Sequence, residues 1–115
     1  MTGARDAKGE GVVGESYLAG AGWVVAAHGE LDQDTLGPLE EALASAADQH
    51  QLVVLDAGSV TFGDSSFLNL LLRLHHLTTL RIAAPGDQLR RLFALTGADT
   101  VLSLHPNVED AVRAS

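Results

Sequence analysis

Four consecutive residues, Gly63-Asp64-Ser65-Ser66, place a carboxylate and two hydroxyls between the apolar stretch Val60-Thr61-Phe62 and a leucine-rich one carrying Phe67, Leu70, Leu71, Leu74 and Leu77. A polar insert of this kind marks the junction of a strand end with a helix start, with Asp64 as N-cap and Ser65 and Ser66 in the first turn. The opening N–H groups of a helix lack internal partners and its dipole is positive there, so the position tolerates a phosphate. Phosphorylation would add about 1.5 to 2 negative charges and three acceptor oxygens. Beneath an acidic or apolar partner surface, that charge would break docking without unfolding the domain. The commoner use of the same pattern is plain structure, an N-cap followed by two small first-turn residues.

Other groups offer weaker chemistry. Glu30 and Asp32, two residues apart at a strand end, have the types for acid/base work or metal binding; the alternative is a solvated loop and helix entry within a partner contact area. The five histidines, His28, His50, His75, His76 and His105, show no ligand spacing, so no metal site and no cofactor are expected. Ser65 lacks the nucleophile elbow and placed base of a hydrolase, so no catalysis is expected. Arg90 and Arg91 read as a solvated helix face.

The elements that position these groups follow from periodicity. Residues 12–18 predict a first strand with Val12, Val13, Tyr17 and Leu18 as inward candidates, and Gly20-Ala21-Gly22 a turn. Residues 23–27, an apolar run closed by Gly29, predict a buried central strand. Leu36, Leu39, Leu43 and Ala46 recur at helical spacing, with Asp34 or Thr35 as cap and Pro38 in the first turn. Residues 52–55 predict a strand covered on both faces, broken by Asp56-Ala57-Gly58-Ser59, with 60–62 a separate extended piece. Helices over 65–77, 87–95 (Leu89, Leu92 and Phe93 inward, Gly97 as stop) and 108–113 alternate with strands over 80–84 and 101–104. This alternation predicts an α/β sandwich: a mixed, mostly parallel sheet of about four to five strands flanked by three or four helices. Residues 1–10 read as a flexible leader and 11–115 as one domain.

Composition narrows the function class. The chain has 115 residues, 46% hydrophobic and 19% charged, which suits one compact core, and with no cysteine that core must be held by packing. Seven Lys plus Arg against fifteen Asp plus Glu give a net charge of −8, which argues against nucleic acid and favours a protein partner with a basic surface. Neither a signal peptide nor a membrane span is readable, so the expected compartment is the cytoplasm.

Three separated segments resemble the anti-sigma factor antagonists of the STAS domain family. Gly29-Glu30-Leu31-Asp32 with Thr35 is similar to the family's G-E-L-D signature, Asp64-Ser65-Ser66 to D-S-[ST]-G, and Arg91-Leu92-Phe93 with Gly97 to R-L-F-x-x-x-G. The resemblance spans about residues 12–113, in order and in register. It implies a STAS-like fold and a domain that is monomeric when free. The implied partner is an anti-sigma factor that is also a serine kinase: the unmodified antagonist binds it and frees a sigma factor. Phosphorylation falls on the first serine, Ser65, with Ser66 the second choice, and a serine phosphatase reverses it. Glu30, Asp32, Thr35, Asp64, Ser65, Ser66 and Phe67 would line the partner-binding face. Rival readings are a non-phosphorylated scaffold or transport-complex subunit, and a domain that binds a nucleotide or small anion at the helix start. The sequence departs from the motif at Phe67, where the family has glycine. That side chain would fill a different partner's pocket, obstruct the kinase on a scaffold that still docks, or continue the Leu70-Leu71-Leu74 core face, while Gly63 would return flexibility just upstream.

Overall fold

The computed structural model describes residues 11–114, so the leader expected over residues 1–10 lies outside the described residues. Five strands form one sheet in chain order: β1 (Val13–Ala19), β2 (Gly22–Leu31), β3 (Leu52–Gly63), β4 (Thr79–Ala83) and β5 (Ser103–His105). β1 pairs antiparallel with β2 and the other pairings are parallel. The parallel strands are joined by α1 (Gly37–Gln49), α2 (Ser65–His75) and α3 (Asp87–Thr96), and α4 (Val108–Arg113) ends the described chain. This is the predicted α/β architecture.

Because every parallel step moves in the same direction across the sheet, the crossover rule sends all three connecting helices to one face. Leu39 and Leu43 of α1, Phe67, Leu70, Leu71 and Leu74 of α2, and Leu89 and Phe93 of α3 pack there against Val25, Val53, Leu55 and Ile82. Alternate strand residues turn the other way, and Val24, Val54 and Ala83 meet Ala111 of α4. Arg81 reinforces that side, donating from Nη1 to the Ala111 carbonyl at 2.8 Å.

Several boundaries differ from expectation. β3 is continuous through Asp56–Ser59 because its pairing with β2 shifts register around His28 and Gly29 instead of ending, and Asp56 Oδ1 accepts from the Gly58 N–H at 3.1 Å within the kink. β2 likewise runs past Gly29, which adopts φ +81° at the second shift, and it is β3 that occupies the centre of the sheet. Tyr17 and Leu18 lie on the edge strand and are exposed, Leu18 at 63%, whereas Val12 is buried. α2 stops at His75, which leaves Leu77 70% exposed instead of on the core face. The last strand begins at Ser103, after a short 3₁₀ turn at Ala98–Thr100. Gly97 ends α3 in the left-handed conformation, as expected.

Candidate functional site

The predicted switch sits where β3 ends and α2 starts. Asp64 is the N-cap: its Oδ1 accepts from the Ser66 N–H at 2.9 Å and the Phe67 N–H at 3.2 Å, and its backbone carbonyl accepts from the Leu68 N–H at 3.0 Å. The orphan amides of the first turn are therefore largely satisfied by Asp64 itself. Ser65 is exposed. Ser66 is half-buried and turns towards a groove between α1 and α2, lined also by Leu36, Glu40, Asn69 and Arg73. Across this groove Arg73 Nη1 meets Glu40 Oε2 at 3.4 Å.

The second predicted segment closes the turn from β2 into α1. Asp32 Oδ1 accepts from the Asp34 N–H at 2.9 Å and the Thr35 N–H at 3.1 Å, and Thr35 Oγ1 donates to the Glu30 carbonyl at 2.8 Å while accepting from the Asp32 N–H at 3.0 Å. One oxygen of the Asp32 carboxylate is thus engaged by the turn. Thr35 is drawn into the same turn, so α1 starts later than expected: Leu36 is its N-cap, without a side-chain cap bond, and Pro38 lies in its first turn. Glu30 remains exposed. The Asp64 N–H donates to the Leu31 carbonyl at 3.2 Å and Leu31 stands opposite Gly63 in the register, so the two segments share one end of the sheet.

Phe67 does not belong to that surface. Its ring is 0% exposed, continuing the Leu70-Leu71-Leu74 face, and it presents no side-chain atom to a partner. The ring lies against Gly63: a Cβ there would fall 2.6 Å from Phe67 Cδ2 and 2.8 Å from Leu89 Cδ2. The space that the ring occupies accounts for a glycine at position 63. Nor is Gly63 a point of flexibility. Its N–H donates to Gln88 Oε1 at 2.8 Å and its carbonyl accepts from Gln88 Nε2 at 3.0 Å. No local pattern in the sequence could have found Gln88, which lies a full strand and helix away on α3.

Phe62 was also missed. It is 41% exposed, opposite Glu30 in the β2–β3 register, an apolar side chain beside the acidic strand end. Strand alternation gives no signal for it, since Val60, two residues earlier and on the same side by period, is buried. Arg90 and Arg91 are exposed, and Arg90 Nε donates to the Pro85 carbonyl at 2.9 Å. His75 and His76 meet edge-to-face with ring centroids 5.2 Å apart. Among the described residues no group of three His, Cys, Asp or Glu side chains is placed to hold a metal ion, and no helix is long and apolar enough to cross a membrane.

A sequentially ordered sheet with its crossover helices on one face, and an exposed serine just after a capped strand-to-helix junction, define a small α/β domain whose distinctive groups lie on its surface. A family profile described as "Mlab, STAS domain" matches residues 17–105, and the chain belongs to the STAS domain family. An anti-sigma factor antagonist from Mycobacterium paratuberculosis is 31% identical, with a TM-score of 0.78 over 87% of this chain and 90% of that one. A STAS domain protein from Planctomyces limnophilus, called an anti-sigma-factor antagonist, is 17% identical with a TM-score of 0.79 over 89% and 95%. The phosphorylated form of the Bacillus cell fate determinant SpoIIAA is 18% identical with a TM-score of 0.64 over 85% and 95%. The last two likenesses concern the fold. No curated protein sequence matches the chain.

Proposed function

We propose that this chain is an anti-sigma factor antagonist. In its unmodified form it docks on an anti-sigma factor serine kinase and so frees a sigma factor, and phosphorylation of Ser65 ends the docking. The observation that carries this reading is the exposed Ser65 hydroxyl in the first turn of α2, beside a cap that is already filled. In the modification, the γ-phosphoryl group of the kinase's ATP passes to Ser65 Oγ, the hydroxyl proton is lost and ADP leaves. Because Asp64 already binds the Ser66 and Phe67 amides, the new phosphate cannot settle onto them. It stays at the surface, where its charge and hydration oppose a closely packed partner. The same filled cap speaks against a nucleotide or anion site at this helix start.

The docking face comprises Glu30, Phe62, Asp64, Ser65 and Ser66, held in place by the Asp32–Thr35 turn. Membership of the family and the 31% identity to an anti-sigma factor antagonist support the assignment. The test is incubation with the cognate anti-sigma kinase and ATP, followed by mass spectrometry of the Ser65 peptide. One phosphate on Ser65, none on Ser65→Ala, and at least about tenfold weaker binding by Ser65→Asp are expected. No phosphate on the wild type, or equal labelling of Ser65→Ala, would overturn the switch. Unchanged binding by Ser65→Asp would point instead to a constitutive scaffold.

A further inference from the structure

The Gln88 side-chain amide pairs with both backbone polar groups of Gly63, a buried residue whose N–H and carbonyl water does not reach. The residue before the Asp64 cap is a glycine, the residue type with the least constrained backbone, and it stands where the chain passes from strand to helix. The β2–β3 ladder ends here, at the Leu31–Gly63 pair. Gln88 engages both polar groups of Gly63, at 2.8 and 3.0 Å. It does so from α3, whose Leu89 also packs against Gly63.

We propose that Gln88 is the positioning residue of the switch, fixing the Gly63 peptide and, through Asp64, the position of Ser65 Oγ relative to an incoming phosphoryl donor. This rests on the reading of Ser65 as phosphoacceptor. The geometry supplies a reason for the arrangement. The Phe67 ring forces glycine at position 63 by filling the space of any Cβ, and the Gln88 amide removes the backbone freedom that the glycine introduces. The Asp64 N–H to Leu31 bond holds the next residue, so the two contacts together fix the peptide on either side of the junction.

Two measurements test this. Amide hydrogen exchange on the protein alone should show the protection of Gly63, Asp64 and Ser66 falling about tenfold in Gln88→Ala, with Val54 and Leu55 unchanged. Unaltered protection at Gly63, or a uniform fall across the sheet, overturns the proposal. Gln88→Glu keeps an acceptor for the Gly63 N–H but sets a carboxylate against its carbonyl. Protection should therefore return as the pH falls through the ordinary carboxyl range near about 4.3, and a flat response overturns the reciprocal pairing. With the anti-sigma kinase, Gln88→Ala should lower kcat for Ser65 by about tenfold with KM nearly unchanged, since a displaced acceptor slows transfer more than docking. An unchanged kcat on a phosphorylatable wild type overturns the positioning role. A wild type that takes no phosphate overturns the Ser65 reading instead, and the exchange measurement still decides the clamp.

Discussion

Gly63→Ala is the most incisive perturbation of the junction, because Gly63 is not among the positive-φ residues and the effect is therefore steric. The added methyl would lie 2.6 Å from Phe67 Cδ2, 2.8 Å from Leu89 Cδ2 and 3.2 Å from Phe67 Cε2. The Phe67 ring is enclosed and must shift bodily to reach ordinary contact distance. Overpacking of this kind costs about 1–3 kcal/mol. The smaller conformational freedom of unfolded alanine returns about 0.4–1 kcal/mol, so a net loss of about 1–2 kcal/mol is expected. Phe67→Ala alone should cost about 3–5 kcal/mol, within the typical stability of a domain of about 5–15 kcal/mol. With the ring gone, Leu89 can rotate into the vacated space and Gly63→Ala becomes neutral or mildly stabilising. The double-mutant cycle should therefore show a coupling of about 2 kcal/mol in the direction of mutual relief. Urea unfolding followed through the single tryptophan suits the measurement, since Trp23 stacks on His50 with centroids 4.8 Å apart and interplanar angle 2°. Additivity within about 0.5 kcal/mol, or a Gly63→Ala protein as stable as the wild type, would refute the steric account.

Two further outcomes concern single backbone positions. Asp64→Ala should lose about 1 kcal/mol and lower Tm by about 4 °C by calorimetry, with Asp64→Asn close to wild type; an Asp64→Ala protein of unchanged Tm would mean the cap contributes nothing. Among the described residues, Ala84 is the non-glycine residue with positive φ, at 58°. Relief of about 1 kcal/mol of left-handed strain should cancel the entropic penalty of glycine, leaving Ala84→Gly within about 0.5 kcal/mol of wild type; a larger loss in urea unfolding would count against that strain.

The apolar periodicities of α1, α2 and α3 and the runs of β2, β3 and β4 were legible because each buries one stripe or strand against the sheet. The misjudged boundaries have tertiary causes. Asp56–Ser59 looks like a strand break in composition, yet the neighbouring β2 backbone carries the ladder through it with a register shift. Asp34 and Thr35 are good caps by type, but the Thr35 hydroxyl is spent on Glu30 and Asp32. Leu77 keeps the helical spacing from Leu74, although the helix has ended two residues before it at His75. At the site, Asp64, Ser65 and Ser66 were legible as a cap and first turn because capping is local. Gln88 was not, since its partner lies 25 residues away and depends on how α3 lies across the end of β3.

The identity of spatial and chain order, β1-β2-β3-β4-β5, bears on how the sheet can be made during synthesis. As the chain emerges from the ribosome, each strand adds to the one completed before it, and no described strand must wait for a later one to be inserted between itself and its neighbour. The growing sheet offers one fresh edge at a time. When the last described strand is in place that edge is Ser103–His105, only 3 residues long, while the opposite edge, β1, carries a register irregularity between Val13 and Ser16. Both borders are thereby poor templates for a neighbouring nascent chain, which favours solitary folding on crowded polysomes.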